Sequence, residues 1–269
     1  MSTPWILTAA ATVAAAVWIE RKLIYKPSRY VLQTPANVDV EHEEVTFHSA
    51  DGAMLNGWWI PRANARGTIL YCHGNKGSMG DRVWIARDLS RLPFNVFMFD
   101  YRGYGLSDGI PTVHGTRRDV IAAWEYVRGR HGNGENPPVA LYGSSLGSAI
   151  AAQLLAGRPV RCFILEGGFT STLEMGRRFY PWILPRITCV NRYDTLSLLR
   201  EFDRPLLVSH SREDAVIPFD MGRALFDASP SPKKQFFELS GVHGEFPWRR
   251  SPGYWETVAA FLDENMPQG

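Results

Sequence analysis

Two segments of the chain match the pattern Gly-X-Ser-X-Gly, in which the central serine can act as a nucleophile. Residues 143–147, Gly-Ser-Ser-Leu-Gly, follow an apolar run typical of a buried strand and precede an alanine-rich run typical of a helix. A tight turn between the two would expose the hydroxyl of Ser145 and direct the first amides of the helix at a developing oxyanion. Residues 105–109 match as well, but Ser107 lies in a polar loop and is predicted to form a turn. We therefore predict Ser145 as the nucleophile.

A serine nucleophile needs a base that titrates near neutral pH, and histidine is the side chain that does so. Of the seven histidines, His243 lies in the loop Ser240–Gly244, between the last predicted strand and the last predicted helix. His210 ends a predicted strand and is expected only to support the site from behind. We predict His243 as the general base.

The base in turn needs a carboxylate that orients its ring. Asp214 and Glu213 follow the predicted strand Pro205–Ser209, and Glu166 ends an earlier strand. Asp214 is preferred because the Ala-Val-Ile-Pro segment that follows it would bury its turn. Glu213 and Glu166 remain as alternatives.

Acyl transfer through a serine also requires backbone amides that bind the oxyanion. Residues 73–77, His-Gly-Asn-Lys-Gly, directly follow the predicted strand Thr68–Cys72, and their glycines allow the backbone to approach a substrate closely. We predict the amides of Asn75 and Leu146 as the donors, each contributing about 3 kcal/mol in the transition state. A glycine turn without this role is the alternative.

The elements that must position these residues alternate along the chain. Near-continuous apolar strands that alternate with helices indicate an α/β fold, with a parallel sheet covered by helices on both faces. Ala50-Asp51-Gly52 predicts a hairpin between the first two strands. The predicted strands are Glu44–His48, Leu55–Pro61, Thr68–Cys72, Val96–Asp100, Val139–Tyr142, Cys162–Leu165, Pro205–Ser209 and Gln235–Leu239, and the predicted helices are Arg82–Arg91, Thr116–Arg130, Leu146–Ala156, Asp220–Asp227 and Tyr254–Glu264.

One stretch interrupts this alternation. Residues 167–202 are rich in aromatics, prolines and arginines and contain no clear strand. We predict that they form a small cap over the site. An ordinary connection with one or two helices is the alternative.

Composition argues against several other kinds of function. The net charge is +2 and no long basic run occurs, so nucleic-acid binding is not expected. The three cysteines lie far apart without a CxxC pair, which argues against a disulfide framework or a metal site. Cys72 and Cys162 lie in apolar strands and are predicted as core residues. We expect neither a cofactor nor a metal.

The first 30 residues are predicted to be distinct from a single domain at 31–269. Residues 4–19 carry no charge, and four basic residues follow, Arg21, Lys22, Lys26 and Arg29. A helix over residues 4–19 would span about 24 Å, less than the roughly 30 Å hydrocarbon core of a membrane. We predict a short signal anchor (a transmembrane helix) or a membrane-surface helix, with the catalytic domain in the cytoplasm if the segment spans. A helix packed on the domain and a cleaved signal are the alternatives.

Together these motifs resemble the α/β-hydrolase superfamily, and more narrowly its membrane-anchored "alpha/beta hydrolase domain-containing" serine hydrolases. The resemblance implies the α/β-hydrolase fold with eight mainly parallel strands, a triad of Ser145, Asp214 and His243, and esterase, thioesterase or lipase-like activity without a cofactor. One departure is that Gly244-Glu245 follows the histidine, so an acidic Glu245 could tune the base. The matching segments, in order over nearly the whole chain, are 23–27, 51–52, 73–75, 99–107, 143–147, 214–218 and 242–244.

We therefore expect a serine hydrolase that cleaves carboxylic esters, thioesters or lipid esters by two-step acyl transfer through Ser145. The expected partners are a small-molecule, lipid or acylated substrate and a membrane. A serine peptidase of the prolyl-peptidase type is one alternative, although this sequence contains no large accessory domain. A catalytically inactive binding protein on the same fold is the other.

Overall fold

A computed structural model of the protein describes residues 17–131, 137–180, 192–244 and 251–267. Eight strands form one sheet: β1 (Glu43–His48), β2 (Met54–Ile60), β3 (Thr68–Cys72), β4 (Asn95–Phe99), β5 (Val139–Ser144), β6 (Cys162–Glu166), β7 (Leu206–Ser211) and β8 (Lys234–Leu239). Their order across the sheet is β8-β7-β6-β5-β3-β4-β2-β1. Strand β2 is antiparallel to both of its neighbours, and β3 to β8 are parallel to one another. The predicted eight-stranded, mainly parallel sheet is confirmed.

Helices cover both faces of this sheet, as predicted. They are α1 (Val83–Ser90), α2 (Val113–Arg130), α3 (Leu146–Ala152), α4 (Thr172–Phe179), α5 (Thr195–Leu199), α6 (Phe219–Ala228) and α7 (Tyr254–Asn265). Because side chains alternate along a strand, each strand feeds two apolar layers. One layer packs β-strand residues such as Leu141 and Phe163 against α2, α3, α5 and α6. The other packs residues such as Tyr142 and Ile164 against α1 and α7.

Several helix ends differ from the predicted bounds. Helix α1 follows a 3₁₀ turn, Met79–Arg82, that Ser78 caps. The Asp81 carboxylate in this turn accepts a hydrogen bond from the Ser78 amide at 2.9 Å. Helix α2 begins three residues early because the hydroxyl of Thr112 accepts from the Gly115 amide. Helix α3 ends at Ala152, and turns rather than helix carry the chain on to residue 157.

Two predicted segments are described only in part. Within the predicted cap at 167–202, α4 and α5 are described and Ser171 bridges Asp194, whereas residues 181–191 lie outside the described ranges. The cap therefore stays a prediction. The first sixteen residues of the predicted anchor also lie outside these ranges, residues 17–24 are helical, and Lys26–Pro27 pairs in parallel with Lys76–Gly77. Among the described residues, no helix combines the length and apolarity needed to cross a membrane.

A buried ion-pair network joins the first hairpin to α2. The predicted turn at Ala50-Asp51-Gly52 does connect β1 to β2. The guanidinium of Arg102, in the loop after β4, donates to Asp119 of α2 at 2.8 Å and to Asp51 at 2.9 Å. The Asp119 side chain is fully buried, while that of Asp51 is about one third exposed. The loop that carries Arg102 is thus fixed from two sides.

We predict that Asp119→Ala lowers the free energy of unfolding by about 3–5 kcal/mol, because it leaves a largely buried guanidinium without its buried partner. The matched variant Asp51→Ala removes the more exposed partner and should cost about 1 kcal/mol or less. Urea unfolding of both variants at neutral pH measures the difference. Equal losses for the two variants would contradict this view of the network.

Candidate active site

Ser145 lies in the sharp turn between β5 and α3, with φ 53° and ψ −121°. A side chain at φ in this range is strained by about 1–3 kcal/mol, so the surroundings must enforce it. Two flanking glycines make the turn possible. A Cβ on Gly147 would lie 1.9 Å from the carbonyl oxygen of Cys72, and one on Gly143 would lie 2.5 Å from the Cα of Ser148. Only glycine fits at positions 143 and 147, because the neighbouring backbone leaves no room for a Cβ atom.

The turn brings the three side chains predicted as a triad into contact. The Oγ of Ser145 lies 3.0 Å from Nε2 of His243, and Nδ1 of His243 lies 2.7 Å from Oδ2 of Asp214. Asp214 follows β7 and His243 follows β8, so both reach the edge where the parallel strands end. Hydrogen bonds from the amides of Val216 and Ile217 hold the other carboxylate oxygen of Asp214.

The surroundings keep Asp214 charged. Burial alone would raise the pKa of its carboxyl, but the hydrogen bond and charge of His243, with the two backbone amides, hold that pKa below its ordinary value. Behind it, His210 is fully buried and its Nε2 lies 2.7 Å from the carbonyl oxygen of Ile217. Burial lowers the pKa of His210. His210 thus supports the Asp214 turn, as predicted from its place in the chain.

The other acids and the other serine have different partners. Glu213 accepts a hydrogen bond from the Gly241 amide and so steadies the loop of His243. The carboxyl of Glu166 bonds to three hydroxyl groups and not to the imidazole. Ser107 is buried, and its hydroxyl donates to the carbonyl of Asp100 while accepting from the Asn56 amide. Glu245 lies outside the described residues.

The loop that follows β3 runs beside the serine. A Cβ on Gly74 would lie 3.4 Å from the Cβ of Ser145. Leu146 provides the first amide of α3, and the leading amides of a helix have no partner within it. The amides of Asn75 and Leu146 therefore belong to the two segments that adjoin the nucleophile.

Side chains fix the orientation of the peptide groups in this loop. The hydroxyls of Tyr101 and Tyr104 donate to the carbonyls of His73 and Asn75, each at 2.8 Å. Nδ1 of His73 lies 2.7 Å from the carbonyl oxygen of Gly74. Because the carbonyl and amide of a trans peptide point in opposite directions, this bond turns the Asn75 amide away from His73. Sequence patterns indicated no role for the two tyrosines, since the contacts connect loops that are distant in the chain.

A cavity of about 500 Å³ opens over these groups. Ser145 and His243 line it together with the loop after β3, and Tyr71 and Glu166 contribute to its wall. A second cavity of about 580 Å³ lies beside α1 and contains none of the groups described above. The first cavity is therefore the one that a substrate of Ser145 would enter.

Comparison with known proteins places the chain in a family. Residues 63–190 match the family described as serine aminopeptidase S33. The alpha/beta hydrolase domain-containing protein WAV2 of Arabidopsis thaliana is 31% identical over 284 aligned positions, an alignment that covers 96% of this chain and 92% of WAV2. The chain belongs to the α/β-hydrolase superfamily. The family and the contacts around Ser145 together support a serine hydrolase.

Solved structures share the fold of this hydrolase. The Pyrococcus furiosus esterase Pf2001 is similar with a TM-score of 0.74 and 19% identity, over 90% of this chain and all of that one. The Pyrococcus horikoshii acylaminoacyl peptidase is similar with a TM-score of 0.63 and 18% identity, over 86% of this chain and 43% of that one. At these identities the likeness establishes the α/β-hydrolase fold, as the sequence motifs predicted.

We predict that the Asp214 carboxylate stabilises the folded hydrolase at neutral pH. Since its pKa is lowered on folding, this stabilisation is complete above the ordinary aspartate pKa of about 4 and is lost as the pH falls through the lowered value. The free energy of unfolding of Asp214→Asn should therefore lie below that of the wild type at pH 7, with the gap narrowing below about pH 4. Urea unfolding across this range measures it, and a gap that widens toward acid pH would contradict the prediction.

Proposed function

We propose that this hydrolase cleaves carboxylic esters by two-step acyl transfer, with Ser145 as nucleophile, His243 as general base and Asp214 as the acid that orients it. The observation that carries the proposal is the hydrogen-bonded chain from the Ser145 hydroxyl through the imidazole to the Asp214 carboxylate, at 3.0 and 2.7 Å. Such a chain can remove the hydroxyl proton as the oxygen attacks a carbonyl.

In the first step Oγ of Ser145 bonds to the carbonyl carbon while Nε2 of His243 takes its proton. The carbonyl becomes an oxyanion that accepts hydrogen bonds from the amides of Asn75 and Leu146. The tetrahedral intermediate then expels the alcohol or thiol, which takes the proton back from His243 and leaves an acyl-serine. In the second step His243 removes a proton from water, the resulting hydroxide attacks the acyl group, and the free acid leaves as Ser145 is reprotonated.

The substrate class is inferred from the similar proteins. The structurally similar Pf2001 is named an esterase, and a thioester or lipid ester requires the same steps. Peptide hydrolysis is the second candidate, because the matching family is described as a serine aminopeptidase and one similar structure is an acylaminoacyl peptidase. A panel of acyl esters from acetate to palmitate, one acyl thioester and one aminoacyl amide separates these activities. Faster cleavage of the amide than of every ester would favour the peptidase.

We also propose that the N-terminal segment holds the protein on a membrane with the catalytic domain on the cytoplasmic side. The uncharged residues 4–19 lead into the helix at 17–24, where Trp18, Ile19 and Leu23 are each about half exposed, next to the exposed Lys22. Exposed apolar side chains beside basic ones suit a membrane surface. After carbonate extraction the full chain should stay with the membrane pellet, whereas a chain that begins at residue 17 should be released. Release of the full chain would contradict the anchor.

We predict that Ser145→Ala lowers the turnover of short p-nitrophenyl esters by on the order of 10⁴-fold or more, because the hydroxyl that His243 activates is lost. Its melting temperature should not fall, since the strained turn loses only a hydroxyl. The matched control is Ser107→Ala at the second Gly-X-Ser-X-Gly segment, which should retain turnover per folded molecule although its buried hydroxyl is lost. Wild-type turnover by folded Ser145→Ala would eliminate the assignment.

A further inference from the structure

Glu166 is a buried acid beside the nucleophile that the reaction above does not use. It ends β6, where it lies opposite Ser144 in the register of the sheet, and its carbonyl accepts the amide hydrogen of Ser145 at 2.8 Å. The residue is only 6% exposed, and it lines the cavity shared with Ser145 and His243. Burying a carboxyl group without a cationic partner costs free energy, so other interactions must compensate at this position beside the nucleophile.

Three hydroxyl groups surround the carboxyl. Oε2 accepts from Tyr142 at 2.5 Å and from Tyr254 at 3.1 Å, and Oε1 accepts from Ser144 at 3.1 Å. The two tyrosine hydroxyls also lie 2.8 Å apart, so one of them could donate to the other, and the carboxyl would still keep two donors. Donors on both oxygens suit an ionised carboxylate, which is purely an acceptor. The hydroxyl cage therefore replaces the water that burial removes.

The chain leaving Glu166 runs against the imidazole. Gly167 has φ 55°, and a Cβ there would lie 3.9 Å from Cε1 and 4.0 Å from Nδ1 of His243. Burial raises the pKa of Glu166, while the three hydroxyls and the positive charge of a protonated His243 oppose that rise. Because a charge interaction is mutual, an ionised Glu166 also acts on the positive charge of His243. Charge interactions near a shielded cavity are weakened less by solvent than those at an open surface.

We propose that Glu166 is a positioning residue that acts through His243, its ionised carboxylate stabilising, together with Asp214, the protonated imidazole formed during attack. This inference rests on the serine-hydrolase reaction proposed above. The charged or titratable groups that face these two side chains from the surrounding elements are Asp214 and His210 from β7 and its turn, Tyr142 from β5, Tyr71 from β3, Tyr254 from α7, and Lys76, Asp81 and Arg82 across the cavity.

The test is the pH profile of kcat/KM for a p-nitrophenyl ester. Glu166→Gln removes the negative charge but keeps the size of the side chain, so the protonated form of His243 loses a stabilising charge. The low-pH side of the profile (the acid limb), where kcat/KM rises with pH, should therefore move about 0.5–1 pH unit lower. The value of kcat should fall about three- to tenfold, with KM nearly unchanged. The matched control Ser144→Ala removes one of the three donors but leaves the hydroxyls of Tyr142 and Tyr254 on the carboxylate, which therefore keeps its charge. The acid limb of this variant should coincide with that of the wild type.

A purely structural role would lower kcat without moving the acid limb, and that result from folded Glu166→Gln would overturn the proposal. A shift of equal size in Ser144→Ala would overturn it as well. Should the Gln variant fail to fold, Glu166→Met provides the same neutral charge with an apolar side chain of similar length, and the same shift is expected. Failure of the proposed reaction would instead appear as ester turnover that survives Ser145→Ala, whereas an unshifted limb in an active enzyme refutes only the role of Glu166.

Discussion

The strained backbone of Ser145 depends on the two glycines that flank it, Gly143 and Gly147. At both positions the chain approaches other backbone atoms so closely that no side chain would fit. Gly147 passes the carbonyl of Cys72 at a distance that no Cβ could share, and Gly143 meets Ser148 in the same way. This close packing ties the nucleophile to β3, the strand whose following loop contains Asn75. One steric constraint thus sets the position of the hydroxyl relative to both the helix amides and the loop.

The second requirement is that each polar partner has a fixed orientation before a substrate arrives, because preorganised dipoles need no rearrangement during the reaction. Here the fixing groups come from distant parts of the chain. Tyr101 and Tyr104, from the loop after β4, donate hydrogen bonds to two carbonyls of the loop that contains Asn75. The next two residues of this loop, Lys76–Gly77, pair in parallel with Lys26–Pro27. The buried ion pair of Arg102 with Asp119 in turn anchors the tyrosine loop to α2. The fold and the site therefore share one network.

Much of this arrangement could be predicted from the sequence, because strong local signals marked it. Two short alternating runs located the strands of the first hairpin, and apolar runs located the other six strands. The glycines around Ser145 signalled the turn where backbone segments meet. The helix ends were less accurate, since Ser78 and Asp81 form a capping pair around a 3₁₀ turn that the apolar period alone does not show. The tyrosine contacts and the hydroxyl cage of Glu166 were missed because they join residues between 22 and 88 positions apart, for which the sequence contains no pattern. The three residues of the triad could be assigned from the sequence because each one follows a different predicted strand, in the order Ser145, Asp214 and His243 along the chain.

If His243 activates the hydroxyl of Ser145, that oxygen should attack a fluorophosphonate and keep it as a covalent adduct. The mass of the intact protein after this reaction, followed by peptide mapping, shows whether an adduct forms and where. We expect one adduct, located on the peptide that contains Ser145, and a rate of formation at least about a hundredfold lower in His243→Ala. An adduct on another residue, or labelling at the wild-type rate without the imidazole, would contradict the activation of Ser145 by His243.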